Sequence, residues 1–247
     1  MPREFVDSIN IKSETQLESC ILIANQLGFS NLWISNPSKG MKKRINNHKK
    51  NSLLQIHERA DIGTNNESRD QIISILRHQR RNVPIIAVKC LIPEIAAWVA
   101  QDNRVDILKF PIFQTGKLFT RSIAKLMLKF GKLLEVPLSE LYCLPERQHI
   151  AALRQIRSAL EIAQKKNVPI LFNSGSSMVT QMRSPRELVS LGQILLEKLT
   201  IPLDSLSKIP QQLLKQNLLK ITSNYISPGI YKIDNHSRNT INRQEEE

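Results

Sequence analysis

Basic side chains give the clearest indication of chemistry in this sequence. Between Pro37 and Lys50, six of them occur without an acidic residue: Lys39, Lys42, Lys43, Arg44, Lys49 and Lys50. Gly40, Asn46 and Asn47 interrupt the stretch and predict a mobile loop rather than a helix. A run of cations that contains no anion favours contact with phosphate groups over a loop that is merely solvated.

A second group of cations flanks the start of a predicted helix. Ser184, Pro185 and Glu187 fit the N-cap, first and third positions of that helix and form a capping box. The cap does not require Arg183 and Arg186, which lie on either side of it. Free backbone N–H groups beside two arginines suit an RNA phosphate or a carboxylate of a partner protein. Plain surface arginines are the alternative.

Catalysis by the protein's own side chains finds little support. The ends of the predicted strands carry two carboxylates, two lysines and an amide, at Asp7, Glu135, Lys89, Lys109 and Asn173. This mixture is a poor cage for a divalent cation, because two of the five groups are themselves cations. The sequence has no P-loop lysine, no G-x-G-x-x-G, no G-x-S-x-G and no H-E-x-x-H. We therefore expect no catalytic residue and no metal ligand, although Asp7 and Glu135 could form an acid–base pair if the fold joined them.

The elements that would position these residues alternate between short apolar runs and amphipathic helices. Seven runs have the character of buried strands, at 5–6, 32–34, 53–57, 83–88, 105–110, 132–136 and 168–172. Helices are predicted between them and at 184–199 and 209–220. This alternation predicts a parallel α/β fold. At this length a TIM-barrel-like α/β architecture, with an irregular or incomplete barrel included, is favoured over a two-domain doubly wound fold.

Composition limits the class of protein. Of 247 residues, 41% are hydrophobic, which allows a real core, and Lys and Arg exceed Asp and Glu by 35 to 22. The formal charge of +13 predicts attraction to a polyanion. No window of about 18 apolar residues indicates a membrane span, and no secretory signal is apparent. Three cysteines far apart suit neither a disulfide framework nor a zinc site, which favours the cytoplasm.

One domain is predicted for 1–222, because no internal linker rich in Gly, Ser or Pro occurs before that point. Residues 223–247 are mostly polar and end in Gln-Glu-Glu-Glu, with three basic and four acidic residues. That composition predicts a flexible tail.

Residues 173–195 carry a resemblance to a known family. Their sequence, N-S-G-S-S-M-V-T-Q-M-R-S-P-R-E-L-V-S-L-G-Q-I-L, resembles protein component 3 of archaeal and eukaryotic ribonuclease P. That family has a Ser-Gly loop followed by an R-S-P-R-[DE]-L-x-x-L-G helix. Residues 5–7, 27–29 and 206–217 agree further, so the resemblance extends over about 3–220. The chain departs from it at Ser176, where the family often has Ala, and in the lysine-rich stretch.

The resemblance implies a TIM-barrel-like fold related to metal-dependent phosphoesterases. It also implies that the chemistry, removal of the 5′ leader from precursor tRNA, belongs to the Mg²⁺-dependent ribonuclease P RNA. The protein would bind and stabilise that RNA together with protein component 2 and other ribonuclease P proteins, without a cofactor of its own. Two alternatives stay open: a stand-alone metal-dependent phosphoesterase using Asp7, His57 and Glu135, and an RNA-binding scaffold outside ribonuclease P.

Overall fold

A computed structural model describes residues 3–48, 54–64, 68–196, 200–221, 225–227 and 230–231. Its main sheet has seven parallel strands, each paired with the next along the chain. They are β1 Val6–Ile9, β2 Asn31–Ser35, β3 Gln55–Gly63, β4 Ile85–Lys89, β5 Ile107–Lys109, β6 Leu133–Pro137 and β7 Ile170–Asn173. All seven lie at or next to predicted runs, and β3 continues six residues beyond the prediction.

Helices connect the strands. In chain order they are α1 Glu14–Gln26, α2 Lys39–His48, α3 Arg69–Arg80, α4 Pro93–Gln101, α5 Thr115–Leu118, α6 Arg121–Lys129, α7 Ser139–Tyr142, α8 Glu146–Lys165, α9 Pro185–Leu196, α10 Thr200–Leu206 and α11 Lys208–Ile221. A short 3₁₀ turn, Val179–Gln181, precedes α9. None of the described helices is long and apolar enough to cross a membrane.

The sheet curls until its first strand meets the segment that follows its last. Ile9 pairs in parallel with Ser176, the Gly175 N–H donates to the Ser8 carbonyl at 2.9 Å, and the Asn10 N–H donates to the Ser176 carbonyl at 2.8 Å. The result is a nearly closed barrel with helices outside it. This confirms the predicted irregular TIM-barrel-like α/β fold.

Alternation along the strands gives the barrel wall an inner and an outer face. The apolar residues of the inner face form a cluster with Leu214 of α11: Val6, Trp33, Ile85, Ala87, Ile107, Leu133 and Leu171. Most of them stand at the amino ends of their strands. Helix α11 therefore closes that end of the barrel, and Gln211 Nε2 donates to the Glu4 carbonyl at 2.5 Å.

The loop predicted for 37–50 is wrong, because residues 39–48 form α2. Met41 and Ile45 lie four residues apart, so one helical face buries both of them. The Met41 N–H donates to Ser38 Oγ at 3.2 Å and helps to begin the helix. Asn46 and Asn47 are exposed helical residues, and two buried contacts outweigh their weak helix propensity. Lys49 and Lys50 lie outside the described residues.

The predicted flexible tail is mostly outside the described residues. Within it, Tyr225–Ser227 and Ile230–Tyr231 pair as two short antiparallel strands. For 223–247 as a whole, flexibility stays a prediction, and so does the single domain over 1–222.

Candidate functional site at the carboxyl end of the barrel

The carboxyl half of the barrel interior is polar and centred on an ion pair. Arg59 of β3 and Glu135 of β6 are 2% and 4% exposed. Two guanidinium nitrogens of Arg59 donate to the two carboxylate oxygens of Glu135, at 2.6 and 2.5 Å. Arg59 also donates to Ser8 Oγ at 3.0 Å and to Asp61 Oδ1 at 2.6 Å. Asn173 Nδ2 donates to Glu135 from the end of β7. Arg59 thus joins β1 and β6 to β3, and Glu135 links β7 to the same network.

Both members of this pair stay charged near neutral pH. Burial by itself would raise the pKa of the Glu135 carboxyl, but Arg59 and Lys109 outweigh it, and the pKa is lowered. Burial acts to lower the pKa of the Arg59 guanidinium, and Asp61 and Glu135 more than reverse that effect. Lys109 is held in turn by Glu140, with Nζ to Oε1 at 2.7 Å. The interior is therefore a connected set of charges that compensate one another.

This arrangement does not fit a divalent cation. The guanidinium of Arg59 occupies both oxygens of Glu135, and Lys109 adds a second cation on the neighbouring strand. In the described parts of the chain, no group of three or more His, Cys, Asp or Glu side chains is placed to hold a metal ion. Both oxygens of the Glu135 carboxylate are thus engaged by the protein in this arrangement.

Asp7 lies apart from Glu135, on the other face of the barrel wall. Its neighbour Ser8 contacts Arg59 inside the barrel, so alternation directs Asp7 outward. There the Asp7 carboxylate accepts hydrogen bonds from the Ser174 N–H at 2.6 Å, the Ser174 hydroxyl at 2.7 Å and the Ser8 N–H at 2.8 Å. Burial raises the pKa of Asp7 to about 6, and the hydrogen bonds from Ser174 offset only part of that rise. The structure thus separates Asp7 from Glu135, and the two form no acid–base pair.

The segment that begins α9 confirms the predicted capping box. The Glu187 N–H donates to Ser184 Oγ at 3.4 Å, and the Ser184 N–H donates to Glu187 Oε2 at 2.7 Å. Arg183 is partly buried and lies over the Tyr142 ring, 5.0 Å from its centroid. Its Nη1 donates to the carbonyls of Thr180 and Met182. Arg183 is therefore held in one place by the protein.

Arg186 differs from Arg183, because its side chain is exposed and forms no hydrogen bond or ion pair with the described residues. Its side chain is available to an external anion. The two arginines that the sequence presents as equivalent thus have different environments.

The cations of α2 also divide into two kinds. Lys42 Nζ lies 2.6 Å from Glu58 Oε2, and Arg44 pairs with Glu14 and Glu18 of α1. Lys39 and Lys43 are exposed and make no ion pair within the described part of the chain. The stretch has no anion in sequence, but two of its four described cations have acidic neighbours in space.

These exposed cations share one side of the barrel. Helices α9, α1 and α2 follow β7, β1 and β2, which are neighbours around the barrel through the contact of Ile9 with Ser176. Lys12, exposed between β1 and α1, lies between the other two groups. We name this surface the basic arc and define it by four residues: Lys12, Lys39, Lys43 and Arg186.

The sequence-based search missed Lys12, Arg59 and Ser174. Arg59 had a signal, since His57, Arg59 and Asp61 alternate along β3 and so lie on one face. Ser174 belongs to the Ser-Gly loop of the resemblance, but its bond to Asp7 depends on which segments the barrel places side by side. Lys12 has no comparable signal.

Fold and site together define a TIM-barrel-like α/β protein with a self-compensated polar interior and exposed cations around part of its carboxyl end. The model of the RNase P subunit p30 family matches residues 5–222. The chain belongs to this family, which confirms the resemblance seen in 173–195.

Named relatives agree with that assignment. Ribonuclease P protein component 3 of Methanosarcina mazei is 27% identical over 130 residues, 53% of this chain and 54% of that one. The same protein of Halobacterium salinarum is 27% identical over 117 residues, 47% and 50% of the two chains. In Methanococcoides burtonii it is 21% identical over 213 residues, 86% of each. The chain spans about half the length of the first two relatives.

Solved structures agree on the fold. A chain from a cryo-EM structure of archaeal ribonuclease P with mature tRNA superimposes with a TM-score of 0.77 and 17% identity, over 93% of this chain and 96% of that one. A crystallised amidohydrolase superimposes with a TM-score of 0.51 and 12% identity, over 93% and 77%.

Proposed function

We propose that this chain is a protein subunit of ribonuclease P, the ribonucleoprotein that removes the 5′ leader from precursor tRNA. The observation that carries the proposal is the family match over residues 5–222. The relatives named ribonuclease P protein component 3 support it. In this role the chain binds the ribonuclease P RNA and works with protein component 2 and other ribonuclease P proteins.

The proposed role is non-catalytic. The polar groups at the carboxyl end bond to one another: Arg59 takes both oxygens of Glu135, and Asp7 is turned to the other face of the wall. Among the described residues, these groups then leave neither an acid–base pair nor a metal cage for hydrolysis by the protein. The chemistry then belongs to the RNA, and the Mg²⁺ it requires is bound by the RNA rather than by this chain.

The contribution of the protein is electrostatic. Lys and Arg side chains that contact phosphates release counterions from the RNA and lower the Mg²⁺ concentration that its active fold needs. Among the cations predicted from the sequence, Lys39, Lys43 and Arg186 are free to do this, and Lys12 joins them. Lys42, Arg44 and Arg183 are already bonded within the protein, so we assign them a smaller direct share. Lys49 and Lys50 stay predicted contacts.

Reconstitution tests the function directly. Cleavage of precursor tRNA is measured across a Mg²⁺ titration, with ribonuclease P RNA and the other subunits, with and without this chain. We expect the chain to lower the Mg²⁺ midpoint by about twofold or more. An unchanged midpoint and rate would contradict the proposal. Stoichiometric bound Zn²⁺ or Mn²⁺ with phosphatase activity in the absence of RNA would favour the phosphoesterase alternative instead.

A matched pair of variants tests the basic arc. Lys39 and Lys43 lie four residues apart on α2, and Lys125 and Lys129 lie four residues apart on α6, also exposed. Lys39→Gln with Lys43→Gln should reduce the slope of log affinity for RNA against log salt by about 1.5, at roughly 0.7–0.9 per phosphate contact. The change at Lys125 and Lys129 removes the same charge from another helix and should leave the slope closer to wild type. If both double variants reduced the slope equally, the basic arc would not be the preferred RNA-binding surface.

We also propose that the chain acts in the cytoplasm. The proposal is based on its three cysteines, whose spacing suits neither a disulfide framework nor a zinc site. Its folded unit would be 1–222, with 223–247 as a tail.

A further inference from the structure

Two segments at opposite ends of the domain meet around one buried carboxylate. Asp7 belongs to β1, and Ser174 directly follows β7, 167 residues later. Both are 0% exposed. Each oxygen of the Asp7 carboxylate accepts from Ser174: Oδ1 from the N–H and Oδ2 from the hydroxyl. This is the seam at which the barrel closes.

The backbone at the seam allows little freedom. Gly175 has a φ of +63°, and a Cβ added there would lie 2.5 Å from the Pro137 Cβ, so the position requires glycine. The Ser176 N–H donates to Ser174 Oγ at 3.2 Å, so the hydroxyl that donates to Asp7 also holds the next turn. Ser174 therefore adopts one orientation as long as Asp7 accepts from it.

Hydrogen bonds connect Ser174, by way of α7, to residues 183–186, which we call the arginine segment. The Ser139 N–H, at the start of α7, donates to the Ser174 carbonyl at 2.8 Å. Tyr142, at the end of the same helix, donates its hydroxyl to the Gln181 carbonyl and carries Arg183 over its ring. A second route follows the chain, where the Ser177 N–H donates to Gln181 Oε1 at 2.9 Å. Both routes end at the residues that precede α9.

We propose that Asp7 is the positioning residue for the arginine segment 183–186, acting through Ser174 and α7, so that Arg183 and Arg186 are held where RNA meets the basic arc. This inference rests on the proposed RNA-binding function. The Asp7 carboxylate matches the donors around it, because its two oxygens accept separately from the N–H and the hydroxyl of Ser174 and Oδ1 also accepts from the Ser8 N–H.

The test compares Asp7→Ala with Asp7→Asn in the full-length chain. The asparagine keeps one oxygen for the two N–H donors and offers an amide that can donate to Ser174 Oγ, so it should preserve the seam. The probe is an in vitro transcript of the ribonuclease P RNA from the organism that encodes this chain. We expect Asp7→Ala to weaken RNA binding by about tenfold, and Asp7→Asn to stay within about twofold of wild type.

Three measurements separate positioning from general loss of stability. Leu76→Ala removes a buried side chain of α3, far from the seam in the strand order, and should leave RNA affinity unchanged at temperatures where the variant is folded. Hydrogen exchange should show faster amides at 174–187 in Asp7→Ala and not in Leu76→Ala. In a background of Arg183→Ala with Arg186→Ala, the further change Asp7→Ala should add no loss of affinity.

The outcomes are distinguishable. Wild-type affinity and exchange in Asp7→Ala would overturn this inference and leave the proposed function standing. Equal losses in Asp7→Ala and Asp7→Asn would also overturn it, because the hydrogen bonds would then not be the cause. If Asp7→Ala does not fold, Ser174→Ala removes only the hydroxyl and answers the same questions. Failure of the wild-type chain to bind the RNA would overturn both proposals.

Discussion

The two ends of the barrel interior are filled in opposite ways. At the amino end, Trp33, Leu133 and other apolar side chains pack against Leu214, and α11 covers them. At the carboxyl end, Arg59 and Glu135 fill the same interior with a charged pair that also bonds to Ser8 and Asn173. The strands change character within two residues, from Leu133 to Glu135 on β6.

The difference shows which end provides stability and which end is constrained by something else. Burial of apolar side chains stabilises the folded state directly. A buried ion pair adds little stability compared with hydrophobic residues of the same size, because both charges lose their hydration. A carboxyl end built only for stability would have no need of Arg59. We infer that the charges at this end serve to hold strand ends and the segments after them, including 173–187, in fixed positions.

The largest effect is expected when the ion pair is broken on one side. Glu135→Ala removes two charged hydrogen bonds from the buried Arg59 guanidinium and leaves Asp61 as its remaining carboxylate, and should lower the free energy of unfolding by about 4–5 kcal/mol. Denaturant titration measures this loss. The double change Arg59→Met with Glu135→Leu should recover most of the stability. If the double variant were as unstable as the single one, the charges would be stabilising in their own right, and the contrast between the two ends would fail.

A smaller effect is expected at the amino end. Leu214→Ala opens a cavity beneath α11 and should cost about 3–4 kcal/mol, since Leu214 is 5% exposed and packs against the apolar inner face. Leu218, on the same helix and 42% exposed, is the matched control, and Leu218→Ala should change stability by about 0.5 kcal/mol or less. Comparable losses at both positions would show that α11 does not close the barrel by burying Leu214.

The smallest effect concerns Asp7 and depends on pH. Because the pKa of Asp7 in the folded chain, about 6, exceeds 3.8, the folded state binds this proton more tightly than the unfolded state. The stability that the proton confers is complete below pH 3.8 and is lost as pH rises through 6. Asp7→Asn cannot titrate, so its stability relative to wild type should rise by about 2.4 kcal/mol between pH 4 and pH 7.

Denaturant titrations of both proteins at several pH values measure that difference. The contributions of all other ionisable groups are the same in both proteins and cancel. A constant difference across this range would mean that burial does not shift the pKa of Asp7. A difference that falls with pH would mean that the carboxylate is favoured in the fold.

Prediction from the sequence succeeded where the signal is local or repeats along the chain. The seven strands follow from short apolar runs, and the Ser184–Glu187 capping box depends on residues three apart in one turn. It failed for α2, where seven polar or basic residues obscure Met41 and Ile45. Those two side chains favour a helix only because the barrel offers a surface that buries them.

The site was harder to predict than the fold. Lys42 and Arg44 have no acidic residue near them in sequence, and their partners Glu58, Glu14 and Glu18 come from β3 and α1. Likewise Arg183 and Arg186 look alike in the chain, yet only Arg183 has an aromatic ring and two carbonyls beside it.

The sequence by itself determined the alternating α/β order, the excess of positive charge, the family and the cap of α9, because each depends on residue type or on spacings within a few turns. Only the tertiary structure decided which cations are free, that Asp7 and Glu135 lie on opposite faces, and that Asp7 meets Ser174 across the seam. Those results depend on strand register and on barrel closure, which bring Asp7 to Ser174 across 167 positions of the chain. Local spacing carries no information on such contacts. The sequence therefore shows which side chains are charged, but not which of them are free to bind an external anion.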